Sequence, residues 1–359
     1  MGFTLALYPI AYRARCDGSS WREEYIEQPH LASAEEAVLP AGELAALNER
    51  RNHFAGVPLV NYTTQYGMGC FEGLKAFPQK GGGLKLFRPD RNGARFASSM
   101  AGLGMPSFPE ELFVRACREV TSRNAALGFK PSYKAEWEAD GFVGAEAVYL
   151  RPFSYSEGGI GVGIPERPDV FVVANPVGSY FKPGTSSAVT SNRVRATPNG
   201  TGWIKCDANY VISALAKREA EKAGYMEVLF LDSRERRYVE EGSSCNAFFY
   251  LRSGELATPE LGDTILPGIT RASVIELARA EGVQVSERRI AIEEVLADAK
   301  EVFFTGTAAG VTFVESVTHL GRKASFGSKA GELTARLGRA LKALQYGAAP
   351  DERVWMSAV

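Results

Sequence analysis

The stretch from Arg195 to Tyr210 reads Arg-Ala-Thr-Pro-Asn-Gly-Thr-Gly-Trp-Ile-Lys-Cys-Asp-Ala-Asn-Tyr. Pro198, Gly200 and Gly202 interrupt any regular element, so a loop is expected here. Behind it Val211, Ile212, Leu215 and Ala216 recur at helical spacing, and Gly224 closes the run. Lys205 is therefore expected where a glycine-rich loop meets a helix start. Helix starts carry unpaired N–H groups and a partial positive charge, so a lysine gains nothing from the dipole there. An amine that is desolvated in a positive field is a nucleophile of the Schiff-base kind. A solvated loop lysine is the alternative, and the other segments of the chain decide between the two.

Further segments carry residue types that could bind anions or carboxylates. Ala147-Val-Tyr-Leu-Arg-Pro152 reads as a strand ending at a proline, with Tyr149 and Arg151 on one face. A phenol beside a guanidinium makes a carboxylate receptor, because arginine offers a planar fork of donors. A strand-edge cation facing water is the other reading. Leu266-Pro-Gly-Ile-Thr-Arg271 opens a helix expected over Thr270 to Glu281, and Pro-Gly ahead of a helix presents N–H groups and a hydroxyl to an anion. Tyr66-Gly-Met-Gly-Cys-Phe71-Glu-Gly73-Leu-Lys-Ala76 has glycines that let backbone turn close to a ligand, with Tyr66 and Phe71 available as an aromatic wall. Asp90 is expected to cap a helix running to about Leu103 that carries Arg91 and Arg95. Tyr238-Val-Glu-Glu241-Gly-Ser-Ser-Cys-Asn246 sets two carboxylates at a turn, and Thr305-Gly-Thr-Ala-Ala309 ends a short strand expected over Glu301 to Phe304.

In this order and spacing the segments resemble the branched-chain aminotransferases, members of the fold-type IV pyridoxal-phosphate enzymes. The lysine stretch matches R-A-x-x-x-G-T-G-x-x-K-x-x-x-N-Y throughout, and Phe-Glu-Gly-Leu-Lys-Ala, Tyr-Leu-Arg-Pro, Leu-Pro-Gly-Ile-Thr-Arg and Gly-Thr-Ala match as well. The resemblance covers about Val60 to Thr318. It implies a ping-pong transamination in which Lys205 holds pyridoxal 5'-phosphate through a Schiff base and serves as the base at the substrate's α-carbon. It places Arg95, Ile269, Thr270 and Thr307 around the cofactor phosphate and Tyr210 on its phenolic oxygen. Glu241, five residues before Asn246, is selected over Glu240 as the partner of the pyridine nitrogen. Opposite charge there keeps the ring protonated and able to accept electrons. Ser244 departs from the threonine or glycine of relatives, and its hydroxyl would bond near the cofactor. Substrate contacts are implied for Tyr66, Phe71, Tyr149, Arg151 and the linker residue Tyr180, with Thr307 and Ala308 holding the α-carboxylate. Ile160 and Val162 resemble a loop that reaches the neighbouring subunit, which implies a homodimer.

The implied substrates are leucine, isoleucine and valine, with glutamate or 2-oxoglutarate as partner. D-amino-acid aminotransferase and aminodeoxychorismate lyase share the fold, and Tyr149-Leu-Arg151-Pro152 with Phe71-Glu-Gly-Leu-Lys75 argues against both. A non-catalytic ligand-binding relative would need neither Lys205 nor Glu241. Mammalian relatives carry Cys-x-x-Cys where Ala309 and Thr312 stand, so redox control through that pair is not expected.

The elements that must position these residues are those of an ordinary globular chain. The sequence has 359 residues, more than the ~250–300 that one core usually serves, so two domains are expected. The expected class is α/β (α+β): a small N-terminal domain over 1–177, a linker over 178–188 and a larger cofactor-binding domain over 189–359. Amphipathic helices are expected over Glu111 to Gly128 and Ser328 to Tyr346, and strands over Leu84 to Phe87, Asp169 to Ala174, Glu227 to Leu231 and Val283 to Ile290. Residues 1 to about 58 are read as irregular apart from a short helix over Glu43 to Arg51. The net charge of −1 gives no electrostatic case for nucleic acid or an acidic membrane, and no apolar run approaches the ~18 residues of a membrane span. The five cysteines form no metal-spaced pairs and no metal is expected, which fits a reducing cytoplasm.

Overall fold

The computed structural model describes residues 5–178, 186–308 and 310–359. The chain forms two compact units of mixed α/β structure, 1–180 with 205–208 and 343–359, and 181–204 with 209–342. This differs from the expected division at a single linker. The lysine segment and the C-terminal tail both join the first unit, the tail because Met356–Ala358 pairs with Leu84–Phe87. Of the expected linker, 179–185 and the substrate candidate Tyr180 lie outside the described residues, and Ser187 already opens the strand Ser187–Thr190.

The first unit is built on a seven-stranded antiparallel sheet in the order Met356–Ala358, Leu84–Phe87, Leu74–Pro78, Ala147–Tyr155, Asp169–Val177, Ile10–Cys16, Trp21–Glu27. Alternate residues of these strands, among them Tyr12, Leu74, Ala76, Val148, Leu150, Val172 and Ala174, share one core with Phe96 and Met100 of the helix Pro89–Gly102 and with Phe113, Ala116, Cys117 and Val120 of the helix Glu110–Ala126. Each of the larger side chains among them, the valines, leucines, phenylalanines and methionine, stabilises the unit by roughly 1.5–3 kcal/mol. Period two then sends Tyr149, Arg151 and Phe153 to the face away from the helices.

Three expectations fail in this unit. The N-terminal residues are not irregular: Ile10–Cys16 and Trp21–Glu27 form a hairpin at the sheet edge, in register from Ile10↔Glu27 to Cys16↔Trp21. Asp17 accepts the Ser19 and Ser20 N–H groups at 2.9 and 2.7 Å and so shapes its turn. The helix after Phe87 is entered through Arg88, which has a left-handed backbone (φ 46) and no capping side chain, and Asp90 lies inside the first turn. The strand beginning at Ala147 runs through Pro152 to Tyr155. Pro152 offers no N–H to the ladder, but its carbonyl still accepts the Glu72 N–H at 2.7 Å, so the chain is paired past the proline.

The second unit holds a five-stranded sheet in the order Gln284–Glu287, Glu255–Thr258, Asn246–Leu251, Ala299–Gly306, Gly310–Val314, and a four-stranded sheet in the order Arg322–Ser325, Ser316–His319, Ser187–Thr190, Glu227–Leu229. Its core includes Leu229, Val239, Phe249, Ile290, Ile292, Val302 and Phe304. The expected strand Val283 to Ile290 is observed as Gln284–Glu287, and the Arg288 side chain just beyond it reaches Glu255 and Glu294, at 2.8 and 3.2 Å.

Candidate active site

In the first unit three stretches distant in sequence are laced together by backbone. Phe71 N–H donates to Lys205 O at 3.1 Å and Asp207 N–H to Gly69 O at 2.9 Å, so Cys70 and Cys206 face one another as an antiparallel pair. On its other edge the same stretch bonds the strand Ala147–Tyr155: Ser154 N–H donates to Cys70 O at 2.8 Å, and Phe71 pairs with Phe153. Lys205 is thus held by this pairing two residues before the 3-10 turn Asp207–Asn209, which runs directly into the helix Tyr210–Lys222, so it stands at the expected junction of loop and helix. Lys205 N–H also donates to Ser99 Oγ at 3.2 Å.

Phe71 is the meeting point of the charges. Lys205 Nζ lies 4.7 Å from its ring centroid and the Arg151 guanidinium 4.6 Å, both within cation–π range. Arg151 Nη2 donates to the Tyr149 hydroxyl at 2.8 Å, while its buried Nε has no hydrogen-bond partner. The expected phenol–guanidinium pair on one strand face is therefore formed. A Cβ at Gly73 would meet the Tyr149 phenol, so a larger residue there would displace that ring. Arg95 is gripped by Glu72, with Nε to Oε1 at 2.6 Å and Nη2 to Oε2 at 2.9 Å, and Glu72 is fully buried. Glu72 was missed from sequence; the signal was its place in Phe-Glu-Gly one turn-rich stretch ahead of a helix arginine. Tyr66 accepts the Gly161 N–H at 3.1 Å, which ties it to the loop where Ile160 and Val162 stand 83% and 92% exposed.

In the second unit Glu241 is buried in a closed clamp. It is ion-paired to Arg195, accepts Asn246 Nδ2 at 3.1 Å and accepts the Leu266 N–H at 3.3 Å. Asn246 Nδ2 also donates to Leu266 O at 3.0 Å, and Gly268 must be glycine because a Cβ would strike Asn246 Oδ1. This places Glu241 beside the start of the helix Ile269–Ala280, where Gly268 is the cap position and no side chain caps the helix. Ile269 and Thr270 are its first two residues, both buried. Arg195 was legible only as the first letter of the lysine motif; its partnership with Glu241 was not. The neighbouring Glu240 is buried with Oε2 unpartnered, and its carboxyl is pushed up to about 7 by burial, with the Thr264 hydrogen bond opposing. Thr307 and Ala308 form the turn between Ala299–Gly306 and Gly310–Val314, half-buried, while Ala309 lies outside the described residues. Ser244 is exposed with its carbonyl near Gly306, and Tyr210 is the first residue of its helix.

Each unit by itself carries donors of a kind that suits a phosphorylated pyridine aldehyde. The second unit offers an uncapped helix start for an anion and a clamped buried carboxylate for a cationic ring nitrogen, and the first offers an amine on an aromatic ring.

Comparison with known proteins agrees. The sequence model of the class IV amino-transferases matches residues 69–317. A branched-chain-amino-acid aminotransferase of Mycobacterium tuberculosis is 39% identical over 305 residues, 81% of this chain and 80% of its own. The crystal structure of the Escherichia coli branched-chain amino acid aminotransferase superposes with a TM-score of 0.72 at 30% identity, covering 84% of this chain and 94% of that one. The branched-chain amino acid aminotransferase of Thermobaculum terrenum, in its PLP-bound holo form, gives a TM-score of 0.73 at 25% identity, covering 98% of each chain. With the model spanning well over half of the sequence and these relatives matching most of it, the chain belongs to the branched-chain amino acid aminotransferases, within class IV of the aminotransferases.

Proposed function

We propose that this enzyme moves an amino group between leucine, isoleucine or valine and 2-oxoglutarate, with pyridoxal 5'-phosphate as cofactor, and that Lys205 is its catalytic residue. The observation that carries the assignment is the placement of Lys205 Nζ and the Arg151 guanidinium on one phenylalanine ring. The cofactor, when bound, supplies an electron sink that makes the substrate's α-hydrogen acidic. Lys205 Nζ accepts that proton and returns it. Glu241, fixed by Arg195 and Asn246, would hold the proton of the ring nitrogen; Tyr210 would bond the ring oxygen. Ile269, Thr270 and Thr307 would hold the phosphate end, with Arg95 adding charge while Glu72 fixes its guanidinium, and the Ser244 hydroxyl would bond near the cofactor. The Thr307–Ala308 turn would take the α-carboxylate. Tyr66, Phe71, Tyr149 and, by resemblance, Tyr180 would wall the side-chain pocket.

Arg151 is assigned to the distal carboxylate of glutamate and 2-oxoglutarate. A buried unpaired carboxylate costs several kcal/mol, so a pocket that also accepts leucine needs a cation placed beside apolar surface. Mixing the holoenzyme with leucine should convert its absorbance to the pyridoxamine form, and 2-oxoglutarate should restore it. No conversion with any of the three branched substrates contradicts the assignment.

The assembly inferred is a homodimer. Leu59, Ile160, Val162 and Ile164 are 89%, 83%, 92% and 55% exposed and belong to two loops joined by the Gly159 N–H to Val60 O bond at 3.1 Å. Such an apolar patch suits a self-complementary interface. Val162→Glu should shift the protein to monomer by light scattering; a wild-type chain that is monomeric and fully active refutes the inference. The compartment inferred is the cytoplasm, in keeping with five cysteines that are all unpaired. No helix among the described residues is long and apolar enough to cross a membrane.

A further inference from the structure

Cys70 and Cys206 stand opposite one another in the short antiparallel pairing that holds the lysine segment. The flanking bonds, Phe71 N–H to Lys205 O and Asp207 N–H to Gly69 O, make theirs a non-hydrogen-bonded pair, the type with Cα atoms only about 4.5 Å apart. Residues directly opposite in a ladder point to the same face, and their neighbours to the other. Phe71 and Lys205 meet on one face, with Nζ 4.7 Å from the ring centroid. The two thiols therefore share the opposite face, back to back with the lysine. Both are buried, and Ser154 Oγ lies 3.5 Å from Cys70 Sγ. Cys16 faces Trp21 in its hairpin and Cys117 lies inside a helix, so neither has a cysteine across a ladder.

We propose that Cys70 and Cys206 form a redox modification site, at which a peroxide joins them as a cross-strand disulfide that displaces Lys205 and stops turnover until a dithiol reduces it. A disulfide needs Cα atoms about 4.4–6.8 Å apart and Cβ atoms about 3.5–4.5 Å apart. A cross-strand pair meets the first condition, and its Cβ atoms, at about 4.5–5.5 Å, must close by roughly 1 Å to meet the second. The bond therefore draws the two stretches together and shifts the residues on their far face, Lys205 and Phe71. The same strain leaves it readily reducible. Burial pushes the Cys70 thiol up and keeps it unreactive while the pairing is closed, so reaction begins when the lysine segment opens locally. The Cys206 thiol then gives its sulfur to one peroxide oxygen, forming a sulfenic acid and releasing water. On reclosing, the Cys70 sulfur bonds to the Cys206 sulfur, and its proton leaves with the hydroxyl as a second water. Two thiols are thereby oxidised and one peroxide reduced. The crosslink stands apart from the assignment of Lys205; its effect on turnover rests on that assignment.

The test exposes the holoenzyme to hydrogen peroxide, blocks remaining thiols with iodoacetamide, digests without reductant and maps the peptides by mass. The expected product links the peptides of Cys70 and Cys206. Loss of leucine turnover should track the linked fraction, with linked molecules slower by roughly 100-fold, the cost of about 1 Å of misplacement. Dithiothreitol should remove the link and restore turnover together. Cys70→Ala and Cys206→Ala, which cannot form the bond, should keep their starting turnover through the same exposure. A wild-type protein without the link overturns the proposal whatever its activity, and this arm holds even if neither variant folds. A link that leaves turnover unchanged also overturns it, as does an equal loss in the alanine variants. Cofactor mapped to another lysine after borohydride reduction would instead overturn the Lys205 assignment, with the crosslink still in place.

Discussion

The clusters around Glu241 and around Phe71 hold charge in opposite ways. Every oxygen of Glu241 is committed, to Arg195, Asn246 and the Leu266 N–H, and the ion pair is almost wholly buried. Around Phe71 the cations rest on a ring, and Arg151 Nε has no hydrogen-bond partner. The first arrangement suits a group whose charge must not change during turnover. The second suits a pocket that meets an aliphatic and an acidic side chain in turn.

The largest break in this contrast should come from Glu241→Ala. It strands Arg195 in a buried site, which costs about 3–5 kcal/mol of stability, read from denaturant unfolding, together with turnover. Glu241→Gln keeps the volume and should lose turnover with a smaller loss of stability. If both variants unfold like wild type, the clamp is not the rigid element described here.

The Phe71 cluster should break selectively. Arg151→Gln is expected to lower kcat/KM for glutamate and 2-oxoglutarate by roughly 10–100-fold, the value of one charge-assisted contact. The leucine half-reaction, followed in a single turnover, should change far less. An equal fall in both half-reactions would mean that Arg151 binds the α-carboxylate or merely supports the strand.

The smallest effect tests the edge of the clamp. The Glu240 carboxyl is raised in the folded protein to about 7 by burial, so the native state binds the extra proton. Its contribution to stability is present below the unfolded carboxylate range and is lost as pH climbs through about 7. Glu240→Gln should therefore raise the thermal midpoint by a few degrees at pH 8 and leave it near wild type at pH 4.5. A midpoint lowered at pH 8 would show that the ionised Glu240 is stabilising.

What was legible in the sequence follows the same division. Lys205, the Tyr149–Arg151 pair and the Gly268 helix start were readable because glycine, proline and strand periodicity mark them locally. The hairpin Ile10–Cys16 to Trp21–Glu27 was not, since Arg13 looks like a solvent residue and is buried only through Asp169, far along the chain. Glu72 with Arg95, Arg195 with Glu241 and Asp207 with Gly69 escaped for the same reason: each partnership is made by folding, between segments whose order in the chain says nothing of their approach. The place of Lys205 at the junction of loop and helix was legible locally, while its pairing with the Gly69–Phe71 stretch was not.

The central claim is that Lys205 is the residue joined to the cofactor. The most direct measurement is borohydride reduction of the yellow holoenzyme, proteolysis and mass mapping of the fixed cofactor. The account predicts the added mass on the peptide containing Lys205 and no yellow, reducible protein from Lys205→Ala. Label on Lys75, Lys182 or Lys217, with Lys205 unmodified, would contradict it.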